Sequence, residues 1–161
     1  MIKILIVDDE PEICESIKKP FTYLGFTVFT ATTAKKALSI FEKNKPKIVF
    51  LDIIMPDIDG LELLKKFKEL DPKVIVIMVT AKGDEETRKK AIELGADDFM
   101  TKGFSFEDLR DISRKKIEKL LVKAGQMQKP RILIVDDEDQ ARENLRNFLT
   151  PMYECDIEEA H

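Results

Sequence analysis

Five polar side chains stand directly after apolar runs, at positions where chemistry could be built: Asp8 and Asp9 after ILIV, Asp52 after VFL, Thr80 after VIVIMV and Lys102 after FMT. An acidic pair at the end of one run is by itself an ordinary turn or helix cap. Three carboxylates converging are a different matter, because they repel unless a cation lies among them or one is consumed chemically. Mg2+ meets that requirement: it takes oxygen ligands, retains waters and is commonly held by one or two carboxylates together with phosphate oxygens. Mn2+ accepts the same donors. A hydroxyl and an ammonium beside them would bind the oxygens of a phosphoryl group in transfer. Asp52 is then the nucleophile, attacking phosphorus to give a labile acyl phosphate, a state with a lifetime.

This chemistry requires the apolar runs to end at one edge, as parallel strands do. Short runs rich in branched residues, at 2–7, 27–30, 48–51, 74–79 and 98–100, alternate with helical periods at 11–24, 34–44, 61–70, 85–94 and 106–123. That order predicts repeated βα units and an α/β fold with an open, doubly wound parallel sheet, ligands lying outside the carboxyl ends of its strands. The first, third and fourth runs are apolar throughout and are expected in the centre. Gly25 and Gly95 suit helix C-terminal caps. Pro20 is expected to kink or shorten the first helix. Asp57 and Asp59 read as loop residues around Gly60, which is expected to supply a turn conformation and a helix start.

The 161 residues suffice for one well-buried domain but not two of full size, and the net charge of −4 comes from 27 basic and 31 acidic residues interspersed along the chain. No field favours nucleic acid or an anionic membrane. No apolar run approaches a membrane span and no leader opens the chain, so the expected location is the cytoplasm. Cys14 and Cys155 lack metal-ligand spacing and are expected to be buried or half-buried thiols in a reducing compartment. Residues 132–138 repeat ILIVDDE of residues 4–10, 128 positions apart, after a connector at 125–130 and the amphipathic segment that precedes it. The repeat predicts one βα unit of a second copy, cut short early in its second strand. Such a fragment cannot bury its own apolar face and is expected to pack against a second copy of the chain.

With these motifs in hand, the sequence resembles the receiver domains of two-component response regulators, and residues 131–161 resemble the start of a tandem one. The resemblance rests on ILIVDDE, on VFLDIIMPDIDGLELL around Asp52, on VTA at 79–81 and on AIELGADDFMTK ending at Lys102. It covers 1–123 and implies a flavodoxin-like five-stranded sheet of order 2-1-3-4-5, with 124–130 a linker. It further implies that Asp8, Asp9, Asp52 and the backbone carbonyl of Ile54 hold Mg2+, and that Asp52 takes phosphate from a phosphohistidine on a sensor kinase or a phosphotransfer protein. Thr80 would swing in to bond the phosphoryl group, Lys102 would pair with it, and Phe99 would be the aromatic that turns inward. Ile54 and Lys82 occupy the two variable positions that tune the acyl-phosphate lifetime. The sequence departs from the family at Gly103, where a proline in a cis peptide is usual; without proline the cis form costs roughly 2.5–4 kcal/mol, so a trans or reshaped loop is expected.

The leading expectation is thus a signalling switch that catalyses only its own phosphorylation and dephosphorylation. Its partners would be a phosphohistidine protein and a second copy of itself through the helix at 106–123. A phosphorylation-independent scaffold and an Mg2+-dependent hydrolase are the alternatives from other classes. Failure to accept phosphate would identify the first, and turnover of an external substrate the second.

Overall fold

The computed structural model describes residues 2–23, 25–81, 85–103, 131–135 and 156–160. In chain order the elements are β1 (Lys3–Val7), α1 (Pro11–Tyr23), β2 (Thr27–Ala31), α2 (Ala34–Asn44), β3 (Ile48–Asp52), α3 (Gly60–Leu70), β4 (Ile75–Thr80), α4 (Glu85–Glu93), β5 (Asp98–Thr101), β6 (Arg131–Val135) and β7 (Asp156–Ala160). The helix expected at 106–123 lies outside the described residues. The chain divides into two compact units, Met1–Phe106 and Glu107–His161.

In the first unit five strands form a parallel sheet of order β2-β1-β3-β4-β5, as the resemblance implied. The sequence pattern explains the order: β3 and β4 are buried at every position and occupy the interior, while β2 and the shorter β5 are half-exposed at the edges. Side-chain alternation splits each central strand between two cores. Leu5, Val7, Val49, Leu51, Val76 and Met78 face the layer of α2 and α3, where the rings of Phe41 and Phe67 stack with centroids 4.6 Å apart. On the other face Phe50 meets Phe21 of α1, with centroids 5.2 Å apart.

Two features depart from the sequence reading. α1 runs through Pro20 to Tyr23 without being shortened. Proline stands in the last turn and forfeits one donor there, yet the helix continues for three residues beyond it, with Phe21 buried against the sheet. Gly60 does start α3, but the structure requires glycine there for proximity rather than for a special turn conformation. It has no positive φ, and its N–H donates to the Ile53 carbonyl at 2.8 Å, leaving no room for a side chain against the end of β3.

Acidic residues without chemical roles hold the loops. Asp59 caps α3, accepting from the Leu61 N–H at 2.9 Å, and Asp57 accepts from the Ala34 N–H at 2.7 Å, so the loop that follows β3 caps α2. At the other end of the sheet one oxygen of Asp97 accepts from Lys68 Nζ at 2.7 Å and from the Val76 N–H at 2.9 Å, pinning α3 to the start of β4.

In the second unit β6 pairs with β7 in parallel, Arg131 opposite Asp156 through Val135 opposite Ala160. This is the relation that β1 has to β2.

Candidate functional site

The register of the sheet brings the sequence-predicted residues together. Val7 lies opposite Leu51, so Asp8 and Asp52 end adjacent strands; Asp52 lies opposite Val79, one residue before Thr80, and Thr80 lies opposite Thr101, one residue before Lys102. Backbone bonds fix each strand end: Asp8 N–H donates to the Ala31 carbonyl at 3.1 Å, Ile53 N–H to Val79 at 3.3 Å, and Lys102 N–H to Thr80 at 2.7 Å. Asp8, Asp52 and Thr80 are the buried polar side chains among the described residues.

Lys102 lies across the carboxylates. Its Nζ donates to Asp52 Oδ2 at 2.8 Å, to Asp8 Oδ1 at 3.2 Å and to Glu10 Oε1 at 2.8 Å. It also stands 3.1 Å from Asp8 Oδ2, yet that oxygen accepts no hydrogen bond of acceptable geometry. Burial pulls the Lys102 ammonium down, but its bonds to Asp52, Glu10 and Asp8 outweigh that and raise its pKa overall, favouring the charged form. Burial pushes the Asp8 carboxyl up; the Glu10 N–H, which donates to Asp8 Oδ1 at 2.9 Å, and Lys102 only partly oppose this. Gly103 has φ of 90° and no cis peptide bond occurs among the described residues, so a left-handed glycine turns the chain after Lys102. Lys102 reaches Asp52 all the same.

One oxygen each from Asp8, Asp9 and Asp52 lie within 4.8 Å of one another. Trans ligands of Mg2+ are separated by about 4.2 Å, so a small closing of this set suits the ion. The donors are all hard oxygens, and Asp8 Oδ2 is a buried acceptor without a hydrogen bond, as a ligand atom should be. The residues therefore fit Mg2+. A testable corollary follows from the charge imbalance, four carboxylates around one ammonium. Asp8→Asn leaves Lys102 paired with Asp52 and Glu10, and is expected to stabilise the metal-free protein by about 1 kcal/mol. The melting midpoint would rise by about 3–6 °C. The sign agrees with the raised Asp8 pKa: the folded state holds that proton more tightly, so stability falls as pH rises through the folded value, and the asparagine variant lacks that loss. Added Mg2+ should raise the wild-type midpoint and leave the variant's nearly unchanged, as thermal melts with and without the ion would show.

The remaining predicted residues take different places. Thr80 Oγ1 is buried and has no hydrogen-bond partner. Ile54 donates its N–H to Asp52 Oδ1 at 3.2 Å, while its side chain is 69% exposed at the rim. Phe99 is half-buried at the edge of the core, and the Arg88 guanidinium lies 5.0 Å above its ring centroid. Cys14 is buried with its thiol toward the Asp8 carbonyl, 3.5 Å away. Lys82 and Cys155 lie outside the described residues. Sequence reasoning missed Glu10. Its signal was present in the repeated DDE, but nothing local reveals a contact to a residue 92 positions away.

A doubly wound sheet in this strand order, carrying this set at its carboxyl edge, is the architecture of receiver domains. The family description "Response regulator receiver domain" matches residues 4–114, and the chain belongs to that family. It is 39% identical over 108 residues to the transcriptional regulatory protein TrcR of Mycobacterium tuberculosis, covering 67% of this chain and 42% of TrcR. It is likewise 39% identical over 103 residues to the alkaline phosphatase synthesis transcriptional regulatory protein PhoP of Bacillus subtilis, covering 64% of this chain and 43% of PhoP. Among solved structures, a CheY-like response regulator receiver domain protein from Methanospirillum hungatei superposes with a TM-score of 0.70 at 33% identity, over 79% of this chain and 99% of that one. The chain spans less than half the length of these curated relatives. As a receiver domain it is a signalling module of two-component systems, and no helix among the described residues is long and apolar enough to cross a membrane.

Proposed function

We propose that the domain accepts a phosphoryl group on Asp52 from a partner's phosphohistidine and signals by changing conformation. The observation that carries this is the Asp52 carboxylate, buried at the end of β3 with the Lys102 ammonium 2.8 Å away and two further carboxylates beside it. An Asp52 oxygen bonds to phosphorus as the phosphorus–nitrogen bond breaks, its electron pair leaving on the imidazole. Bound Mg2+, held by Asp8, Asp9, Asp52 and the Ile54 carbonyl, would supply positive charge to the phosphoryl oxygens. Lys102 supplies the second positive charge on the same oxygens. Thr80 has a buried hydroxyl with no partner, and a phosphoryl oxygen would satisfy it; leaving such a group unpaired costs about 1–3 kcal/mol. Movement of Thr80 would free space beside β5, where Phe99 sits under Arg88, and the ring would turn inward. Ile54 and Lys82 then tune how water reaches the acyl phosphate. The phosphoryl group adds about −1.5 to −2 charge, enough to shift the balance between two surfaces.

The domain plan we assign is a receiver at 1–123, a linker at 124–130 and the start of a second receiver at 131–161. The parallel pairing of β6 with β7, following a repeated ILIVDDE, supports it. Partners would be a histidine kinase or phosphotransfer protein in the cytoplasm, with a second copy of the chain through 106–123 and the second unit. The expectation of no nucleic-acid contact is confined to the receiver itself, since relatives named as transcriptional regulators are more than twice as long as the matched region.

The test is intact-mass analysis after incubation with Mg2+ and acetyl phosphate. A single hydroxylamine-labile phosphoryl adduct is expected. Its absence with every donor, phosphohistidine proteins included, would assign the domain instead to phosphorylation-independent binding.

A further inference from the structure

We propose that Glu10 is a positioning residue that competes with the incoming phosphoryl group for Lys102 and so sets the rate at which Asp52 is phosphorylated; the inference rests on Asp52 being the acceptor. An ammonium has three N–H donors. All three of Lys102 are committed, to Asp52 at 2.8 Å, Glu10 at 2.8 Å and Asp8 at 3.2 Å. A phosphoryl oxygen can gain Lys102 only when one of these carboxylates releases it. Asp52 and Asp8 are buried, whereas the Glu10 side chain is 56% exposed and forms the outer end of the grip.

The Glu10 backbone is fixed. Its N–H donates to Asp8 Oδ1 at 2.9 Å, and its carbonyl accepts from Ile13 at 3.1 Å and Cys14 at 3.3 Å in the first turn of α1. The side chain is therefore held beside Lys102 and reaches it from solvent. An exposed ion pair of this kind is weak, so the expected change is several-fold and not orders of magnitude.

With the full chain, Mg2+ and acetyl phosphate, Glu10→Gln is expected to form the adduct about 3- to 5-fold faster than wild type, with an unchanged melting midpoint. In a Lys102→Ala background the same substitution is expected to have no effect on the rate, because the contact it relieves is gone. An adduct on wild type with no acceleration in Glu10→Gln overturns the inference alone. So does an acceleration that persists without Lys102, which would assign the effect to bulk charge. Absence of any adduct on wild type instead overturns the acceptor reading, and this inference with it.

Discussion

Asn in place of Asp52 is expected to eliminate the phosphoryl adduct altogether while leaving the fold intact. The amide is nearly isosteric with the carboxylate but neutral, and its oxygen is too weak a nucleophile to displace a leaving group from phosphorus. The surroundings tolerate the change: Lys102 keeps Asp8 and Glu10, the Ile54 N–H keeps an oxygen acceptor, and one of four crowded negative charges disappears. The melting midpoint should hold or rise. Intact mass with and without hydroxylamine, wild type and variant in parallel, reads the result. An adduct of equal yield on the asparagine variant would mean that another side chain is the nucleophile, and the roles given to Thr80 and Lys102 would go with it.

Gly60→Ala should do the opposite, damaging the fold first and the chemistry through it. A Cβ at Gly60 would run into the Asp52 carbonyl oxygen and come within 2.7 Å of Ile53 Cα, and both are backbone atoms that no rotamer change can move aside. Either α3 lifts away from β3, losing the Leu63, Leu64 and Phe67 packing, or the end of β3 shifts and takes Asp52 out of register with Asp8. Forcing a methyl into so tight a contact costs about 3 kcal/mol. The melting midpoint should fall by roughly 10–20 °C. Circular dichroism melts check the stability, and the adduct rate measured well below the transition checks the site. A midpoint within 2 °C or so of wild type would show that the helix has slack the structure does not suggest.

The two substitutions also mark what the sequence could and could not disclose. Asp8, Asp9, Asp52, Thr80 and Lys102 were legible because parallel strands end at a common edge, and a polar residue after an apolar run has only that edge to occupy. The βα alternation, the order of burial and most element boundaries followed from the same periodicity. The reason for Gly60 was not legible, since closeness between α3 and the end of β3 is a fact about two segments at once. For the same reason Asp57 read as loop, though it caps α2 from 23 positions away, and Glu10 read as part of a motif, though it holds Lys102. Pro20 misled in the other direction, because a missing donor weakens a helix locally, while the burial of Phe21 that holds the last turn against the sheet is a fact of packing.

The burial of Cys14 makes the receiver its own clock of breathing. The thiol sits under the Asp8 carbonyl, 2% exposed, and desolvation together with the nearby Asp8 charge pushes its pKa up to about 11. At pH 7 roughly one molecule in ten thousand carries the reactive thiolate. A thiol reagent must therefore wait for α1 to part from the sheet, and the labelling rate at Cys14, read on its own peptide, measures the free energy of that opening. Because the thiol lies directly beneath an Asp8 whose charge is poorly compensated, the rate should slow when Mg2+ is added. A single alkylation time course would then report how firmly the acidic edge is latched, through a thiol the chain already carries.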